Sequence, residues 1–388
     1  DGTPVEVRAP YAIVAAGSAP RELRHQLGVS FNGRSFDDKF LICDIRADLP
    51  GWERERRFYF DPEWNPGRQV LIHPCPDSTF RIDWQVPGDY DIEQEESSGA
   101  LDARIRQIIG DKPYEIVWKS VYRFHSRMVD RMRVGRVLLA GDFAHIVSPF
   151  GARGLNTGVM DAENAAWKLA FVLRGWADDA LLDSYDSERC AASRENIEVT
   201  GHTMDFLVPH TEEQHRIRVE RLTAALTDPS VHPQIDSGRL SEPFWYVDSP
   251  LTTPDAQHPF AGRPPRGHVP PPGPGVALPD VPVRMADMDC TRLRQLARDG
   301  LLLLAGSAVD LQALREQAQN VSAAPLRVLR VADIDAEGAL QQALQTRPNE
   351  VWVVRPDAHI AAVCASGDGQ AVRAALQRVM GRRAAISI

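Results

Sequence analysis

Apolar and polar residues alternate strictly through Phe80-Arg81-Ile82-Asp83-Trp84-Gln85-Val86, which puts one face of a strand into a core and leaves the other wet. Val70, Ile72 and Pro74 continue the pattern on a neighbouring run, as do Phe58 and Phe60, so residues 38–130 are expected to form an antiparallel sheet. Trp84 is expected in its core, while His73 could turn to either side. At the start of the chain Val5 and Val7 alternate with polar residues, and Tyr11-Ala12-Ile13-Val14-Ala15-Ala16 reads as a buried strand ending at Gly17. Two opening strands with nothing before them leave edges without partners, so the natural polypeptide is expected to begin upstream of Asp1.

From Arg136 the pattern changes. Val137-Leu138-Leu139-Ala140 reads as a short buried strand that stops at Gly141-Asp142. After a glycine-rich loop, Thr157 to Arg174 reads as helix with Val159, Ala162, Ala166, Leu169, Ala170 and Leu173 along one face and Gly175 as the stop. More helix is expected from about Leu181 to Leu226. Prolines cluster between 248 and 284, Pro270-Pro271-Pro272 among them, and predict an extended linker wrapped on the surface. Beyond it Leu301–Ala305 and Val328–Val331 are strand-like, Val351–Val354 and Ile360–Val363 read as a hairpin, and Gln370–Met380 as a helix. That order resembles a thioredoxin-like domain without a redox cysteine pair, expected to serve packing or oligomerisation.

Composition narrows the function. The 388 residues are 43% hydrophobic and 25% charged, which is globular and long enough for two or three domains. A formal net charge of −9, with no basic run to track a phosphate backbone, argues against nucleic acid. No apolar stretch approaches the ~20 residues a membrane span needs. The opening residues lack the basic and apolar regions of a signal peptide. Cys43, Cys75, Cys190, Cys290 and Cys364 are scattered, with no CxxC, which argues against a cysteine-built metal site and predicts a cytoplasmic protein.

The chemistry concentrates in Gly135-Arg136-Val137-Leu138-Leu139-Ala140-Gly141-Asp142-Phe143-Ala144-His145, continuing through Ser148-Pro149-Phe150-Gly151-Ala152-Arg153-Gly154-Leu155-Asn156-Thr157-Gly158 to Asp161 and Lys168. A strand delivers an aspartate at its carboxyl end, where an acidic side chain suits sugar-type hydroxyls. Glycines let backbone amides approach a planar ligand, and the first helical turn offers unpaired N–H groups to an anion.

This segment resembles the second FAD motif of the single-component flavoprotein aromatic hydroxylases, in particular the phenol hydroxylase and 3-(3-hydroxyphenyl)propionate hydroxylase-like enzymes. Leu182, Tyr185, Glu188 and Arg189 match the family's following helix. The resemblance implies an α/β and α+β protein: a partial Rossmann-like FAD/NAD(P)-binding domain (residues 1–36 and 133–247), an antiparallel-sheet substrate domain (37–132), the linker (248–284) and a thioredoxin-like domain (285–388). It implies that Gly141 and Asp142 hold the ribityl chain, that Gly154, Leu155 and Asn156 lie against the flavin pyrimidine edge, that Pro149 sits beside the ring, and that Gly151 belongs to the cofactor-binding set. His73, Tyr122, Phe124 and Phe150 are substrate-pocket candidates. His145 is expected to be structural, whereas Arg153, where the family commonly has glycine, is expected either to reach flavin or an acidic substrate or to face solvent.

Two departures stand out. The family's first FAD fingerprint, GxGxxG, is not found, and its middle Asp-Gly position reads Gly17-Ser18, although Arg24 and Leu27-Gly28 keep register. The implied reaction is hydroxylation of a phenolic or other aromatic compound with FAD, NADPH or NADH, and O2. Two alternatives stay open: a non-catalytic fragment with an empty flavin cleft, and a relative performing epoxidation or Baeyer–Villiger oxidation. The partners implied are a small aromatic substrate and O2, with a homodimer left open.

Overall fold

The computed structural model describes residues 5–235, 240–265, 267–285, 290–365 and 368–382. The chain opens with β1 (Ala12–Val14) and α1 (Arg21–Gln26). Strands β2 (Phe31–Ala47), β3 (Arg57–Phe60), β4 (Gln69–Cys75) and β5 (Thr79–Val86) precede α2 (Ile92–Ser97), α3 (Ala100–Ile109) and the long β6 (Tyr114–Val129). Short β7 (Arg133–Val134), β8 (Val137–Leu139) and β9 (His145–Ile146) lead to α4 (Arg153–Leu173), α5 (Asp183–Leu207) and α6 (Glu212–Ala225). The C-terminal unit contains α7 (Leu293–Ala297), β10 (Leu301–Ala305), α8 (Leu311–Gln319), β11 (Leu326–Arg330), α9 (Val331–Ile334), α10 (Ala339–Leu344), β12 (Glu350–Val354), β13 (Ile360–Ala365) and α11 (Gly369–Val379).

The expected antiparallel sheet is present with the order β3-β4-β5-β2-β6-β9. Period-two alternation gives it two different faces. On one, Leu41, Cys43, Ile45, Val70, Ile72, Phe80, Ile82 and Trp84 are buried beneath Leu101, Ile105 and Ile109 of α3, whose four-residue spacing lines up one side of that helix. On the other lie Phe40, Leu71 and Phe124, met by Phe150 and by Met204, Phe206 and Leu207 at the end of α5. His73 stands opposite Arg81 across the β4–β5 pair, on the face that also carries Leu71.

A small sheet of order β1-β8-β7 supports the motif loop, with β1 parallel to β8 through Ala12↔Val137 to Val14↔Leu139. The expectation of an earlier strand fails. Val5 and Val7 are 82% and 84% exposed and outside any strand, because alternation without a partner ladder leaves backbone groups to water. The predicted helix begins at Arg153 rather than Thr157, and the long helical region breaks into α5 and α6 around Pro209, which has no N–H to donate. Most of the predicted apolar stripe of α4 also faces outward, with Leu169 packed into the core and Ala170 half-buried. Val159 and Leu173 are 52% and 55% exposed, whereas Asp161, Asn164 and Lys168 are fully buried on the opposite side.

In the C-terminal unit β10 is parallel to β11 and antiparallel to β12, and β12 and β13 form the expected hairpin. The order β11-β10-β12-β13, with helices on both faces, is the thioredoxin-like arrangement. The proline-rich segment is not wholly a surface wrap. Its stretch near 275–278 lies along β13, with hydrogen bonds from Gly275 N to Ile360 O (2.7 Å), Ile360 N to Val276 O (2.9 Å) and Leu278 N to Ala358 O (2.8 Å), and Val276 and Leu278 are buried. This covers the start of what would otherwise be an open sheet edge.

Cys43, Cys190, Cys290 and Cys364 are buried, and Cys75 is half-buried. Burial pushes the thiols of Cys43 and Cys364 up to about 11 and that of Cys190 up to about 12. In the native protein an aromatic disulfide reagent at mildly alkaline pH should therefore react promptly with Cys75 at most, and with all five cysteines after unfolding in guanidinium. Prompt native labelling of Cys364, read by peptide mapping, would contradict its place in the core.

Candidate active site

The motif loop runs from the end of β8 to the start of α4. Gly141 adopts φ 58°, a left-handed conformation that costs a side chain energy, and so turns the chain sharply out of the strand. Its N–H donates to Asp161 Oδ2 (2.9 Å), while Ala140 N donates to Val14 O (3.0 Å), so the turn is tied both to α4 and to β1. Arg24 completes the frame. Buried between the rings of Phe31 and Phe143, it donates from Nε to Phe143 O (2.9 Å), from Nη1 to Ser18 O (2.9 Å) and from Nη2 to Asp142 O (3.4 Å). One guanidinium thus joins the Gly17-Ser18 turn to the Gly141-Asp142 turn.

Beneath the loop lies a buried polar network. Asp161 accepts from His145 Nε2 (2.7 Å), Arg189 Nε (2.7 Å) and the Gly141 amide. Burial alone would raise its carboxyl, but the His145 hydrogen bond and the Arg189 charge outweigh burial and hold it below the usual carboxylate range. Arg189 also donates to Tyr246 Oη (2.8 Å) and Thr157 O (3.2 Å). Next to it on α5, Glu188 accepts from Asn164 Nδ2 (2.7 Å), Lys168 Nζ (2.7 Å), Ser249 Oγ (2.5 Å) and both terminal nitrogens of Arg355 (2.5 and 3.0 Å). Arg355 in turn grips Asp357, which also accepts from Trp167 Nε1 (3.1 Å). Burial works against the Glu188 carboxylate, but Arg355 and Lys168 hold it well below its ordinary value. Burial lowers Lys168 to about 8 against the pull of Glu188.

The sequence candidates divide into three groups. Phe150 and Phe124 are buried together, 5.9 Å apart edge to face, and Phe124 stacks on Phe40 at 4.1 Å. Tyr122 borders them at 5.7 Å from Phe124 and is 46% exposed, while half-buried His73 lies farther across the same sheet face. Gly151 and Asn156 instead line a cavity of about 520 Å³ beside the first turn of α4, together with Arg189, Phe244 and Tyr246. Asp142, Pro149 and Leu155 are exposed, and Gly141 and Gly154 are half-buried; none of these lines that cavity. Asp142 makes no side-chain hydrogen bond among the described residues.

Arg153 does not face solvent, which removes one of the two expectations for it. It is 1% exposed and donates to Asn196 Oδ1 (2.7 Å) and Leu240 O (3.1 Å), bracing α4 against α5 and the segment after it. Arg355 and Asp357 escaped notice because nothing near them in sequence marks them. For Asp161, Asn164 and Lys168 a signal exists: polar residues at helical spacing on one face, which by default reads as a solvated surface. Among the described residues no group of His, Cys, Asp and Glu could hold a metal ion, and no helix is long and apolar enough to cross a membrane.

A parallel strand pair feeding a glycine turn and a long helix, joined to a broad antiparallel sheet, is an arrangement shared with known flavoproteins. Residues 1–200 match the family described as FAD binding domain, and residues 271–383 match that described as aromatic-ring hydroxylase, C-terminal. The chain belongs to the FAD-binding aromatic-ring hydroxylases. It is 32% identical over 233 residues to a 3-(3-hydroxy-phenyl)propionate/3-hydroxycinnamic acid hydroxylase of Comamonas testosteroni, covering 60% of this chain and 38% of that protein. A protein of the same name from a Mycobacterium species is 29% identical over 262 residues, covering 67% of this chain and 45% of the other. The chain therefore spans less than half the length of these relatives. The flavin-dependent monooxygenase PieE, solved with FAD and substrate, superposes with a TM-score of 0.78 at 22% identity, covering 96% of this chain and 70% of PieE. Aklavinone-11 hydroxylase with FAD and aklavinone gives 0.70 at 26% identity, covering 96% of this chain and 68% of the hydroxylase.

Asp161→Asn should cost about 3–5 kcal/mol of stability, since it leaves Arg189 buried without its carboxylate. A group whose folded value is depressed contributes fully above the ordinary carboxylate range and loses that contribution as pH falls through the folded value. The gap between wild type and Asp161→Asn in urea titrations should accordingly narrow as the medium is acidified; a gap independent of pH would show that Asp161 acts only through its shape.

Proposed function

We propose that this chain forms the flavin-embracing and substrate-enclosing part of an FAD-dependent monooxygenase that hydroxylates a phenolic or other aromatic compound, using NADPH or NADH and O2. The observation that carries the reading is the double allegiance of the motif loop. One stretch of chain presents the Asp142 carboxylate and the start of α4 on one side and seats Phe150 in the aromatic wall of the sheet on the other.

The residues present fit a flavin. The α4 N-terminus has Ala152, with no side-chain cap, at its N-cap position, so its first amides are free to meet an anionic ring edge. Asp142 stands exposed with its carboxylate free to accept from a ribityl hydroxyl. Gly154, Leu155 and Asn156 would present backbone to the pyrimidine edge, and Pro149 would flank the ring. Bound and reduced, FAD would supply the activated oxygen. The protein's own share is to orient the aromatic ring between Phe40, Phe58, Phe124 and Phe150, to exclude water there, and to balance negative charge with the helix dipole.

A second cavity of about 760 Å³ supports a nicotinamide partner. It is lined by Arg21, Arg24, His25, His125 and Arg127 with Ser18 and Ser35, and no acidic side chain is among its lining. Arginines of this kind suit phosphate groups, and the cavity adjoins the Gly17-Ser18 turn that Arg24 fastens to the motif loop. The substrate side of the reading rests on His73, Tyr122, Phe124 and Phe150 sharing one sheet face.

A hydrogen bond to a charged group contributes roughly 1.5–3 kcal/mol. Asp142→Ala should therefore weaken FAD binding by about one to two orders of magnitude, and Asp142→Asn by less, because Asn keeps one acceptor oxygen. Fluorescence titration with FAD, paired with thermal melts with and without FAD, tests this. Unchanged FAD affinity alongside a lowered melting temperature without FAD would reassign Asp142 to local capping.

A further inference from the structure

The sheet face that carries the aromatic wall also carries a carboxyl that no structural role accounts for. Across four strand pairs Phe58 stands opposite Leu71, Leu71 opposite Asp83, Asp83 opposite Ile42 and Ile42 opposite Ser120. Residues directly opposite on neighbouring strands share a face, so Asp83 lies in the middle of a row that begins at Phe58 and Leu71, both part of the cluster that seats Phe150. The adjacent row on one side holds Gln85, Phe40 and Tyr122, and the row on the other holds His73, Arg81, Asp44 and Trp118.

Asp83 Oδ1 is buried and has no hydrogen-bond partner. Its obvious partner is already engaged: Arg81 makes a two-pronged contact to Asp44, at 2.7 and 2.8 Å. Burial pushes the Asp83 carboxyl up to about 7, Asp44 adds to the rise, and Arg81 and Arg56 pull against it. This face also carries the titratable groups of His73, which burial and the same two arginines lower, of Cys75 and of Tyr122. A carboxyl flanked by Leu71 and Ile42 and left unpaired destabilises a fold, since an apolar side chain would suit the position better. Buried polar groups without partners are rare enough that each calls for an explanation, and a hydrogen-bond donor on a bound ligand supplies one here.

We propose that Asp83 accepts the hydrogen bond of a hydroxyl group on the aromatic substrate, and so selects rings that bear a free hydroxyl. This rests on the reading of the aromatic face as the substrate wall. The hydroxyl donates to Oδ1, filling a buried acceptor that the fold leaves empty, while the ring lies toward Leu71, Phe58 and Phe150. A ring without the hydroxyl leaves Oδ1 buried and unpaired, and a site built for a hydrogen bond discriminates strongly against the analogue that lacks it.

Equilibrium dialysis of the intact protein with p-cresol and with toluene, which differ only in the hydroxyl, tests the proposal in wild type, Asp83→Asn and Asp83→Leu. Wild type should prefer cresol, and the preference should grow as pH rises through about 7, where the carboxyl ionises. Asp83→Leu should lower cresol affinity by about one to two orders of magnitude and leave toluene binding close to wild type. Asp83→Asn should lose the pH dependence. Toluene serves as the folding control, and Asp83→Leu should melt no lower than wild type. If both probes bind and their ratio is the same in all three proteins, the role of Asp83 is overturned while the aromatic wall stands. If neither binds wild type, both readings fall. Parallel loss of both probes with a lowered melting temperature in Asp83→Asn would make Asp83 a structural residue and overturn the proposal.

Discussion

Two adjacent residues on α5, Glu188 and Arg189, hold the molecule's parts in register. Arg189 reaches Asp161 and the carbonyl of Thr157, and thereby the amide of Gly141; Glu188 reaches Asn164 and Lys168 on α4 and Arg355 on the far hairpin. Burying charge is expensive, and a network of this sort is tolerable only when each oxygen and nitrogen finds a partner. Here the carboxylates of Asp161, Glu188 and Asp357 are each met by several donors. The gain is less in raw stability than in uniqueness of arrangement: slide α4 by one turn and three charges lose their counterparts together.

That constraint explains why one side of α4 was misread. Val159, Ala162, Ala166 and Leu173 form an orderly apolar stripe, and a periodic stripe is ordinarily the buried one. The residues that decide the matter, Arg355 and Asp357, lie 167 and 190 positions from the α5 and α4 side chains they respectively contact. No local window contains both halves of such a pair. The strand, turn and helix around Gly141 were legible because their logic is local: a run of buried aliphatics, a glycine able to take positive φ, then a long helix. The sheet was legible for the same reason, since period-two alternation is written residue by residue. Its faces were not equally so. Asp83 reads as one more wet position between Ile82 and Trp84, and only the strand pairing shows it flanked by Leu71 and Ile42, with one carboxylate oxygen buried.

The sheet and the motif loop meet through Phe150. Its ring contacts Phe40, Phe58 and Phe124 on three different strands, so the position of the loop is read against the whole sheet rather than one neighbour. The other end of the loop is fixed by Arg24 and Asp161. Between these anchors Ala152 sits at φ 53°, a conformation that side chains other than glycine rarely take, and its carbonyl is held by Asn156 Nδ2 (2.6 Å).

The hairpin tip from Arg355 to His359 gives the thioredoxin-like unit a part in the architecture of the motif helix. Because Arg355 is fully buried against Glu188, and the chain near 275–278 is stitched along β13, this unit is not a detachable module. Recombination among relatives that exchanged the C-terminal unit alone would bring a foreign hairpin to a buried Glu188 carboxylate that keeps Asn164, Lys168 and Ser249 but loses both Arg355 contacts. Glu188 and Arg355 are thus a pair that must be inherited together, a genetic linkage imposed on distant codons by one solvent-free contact.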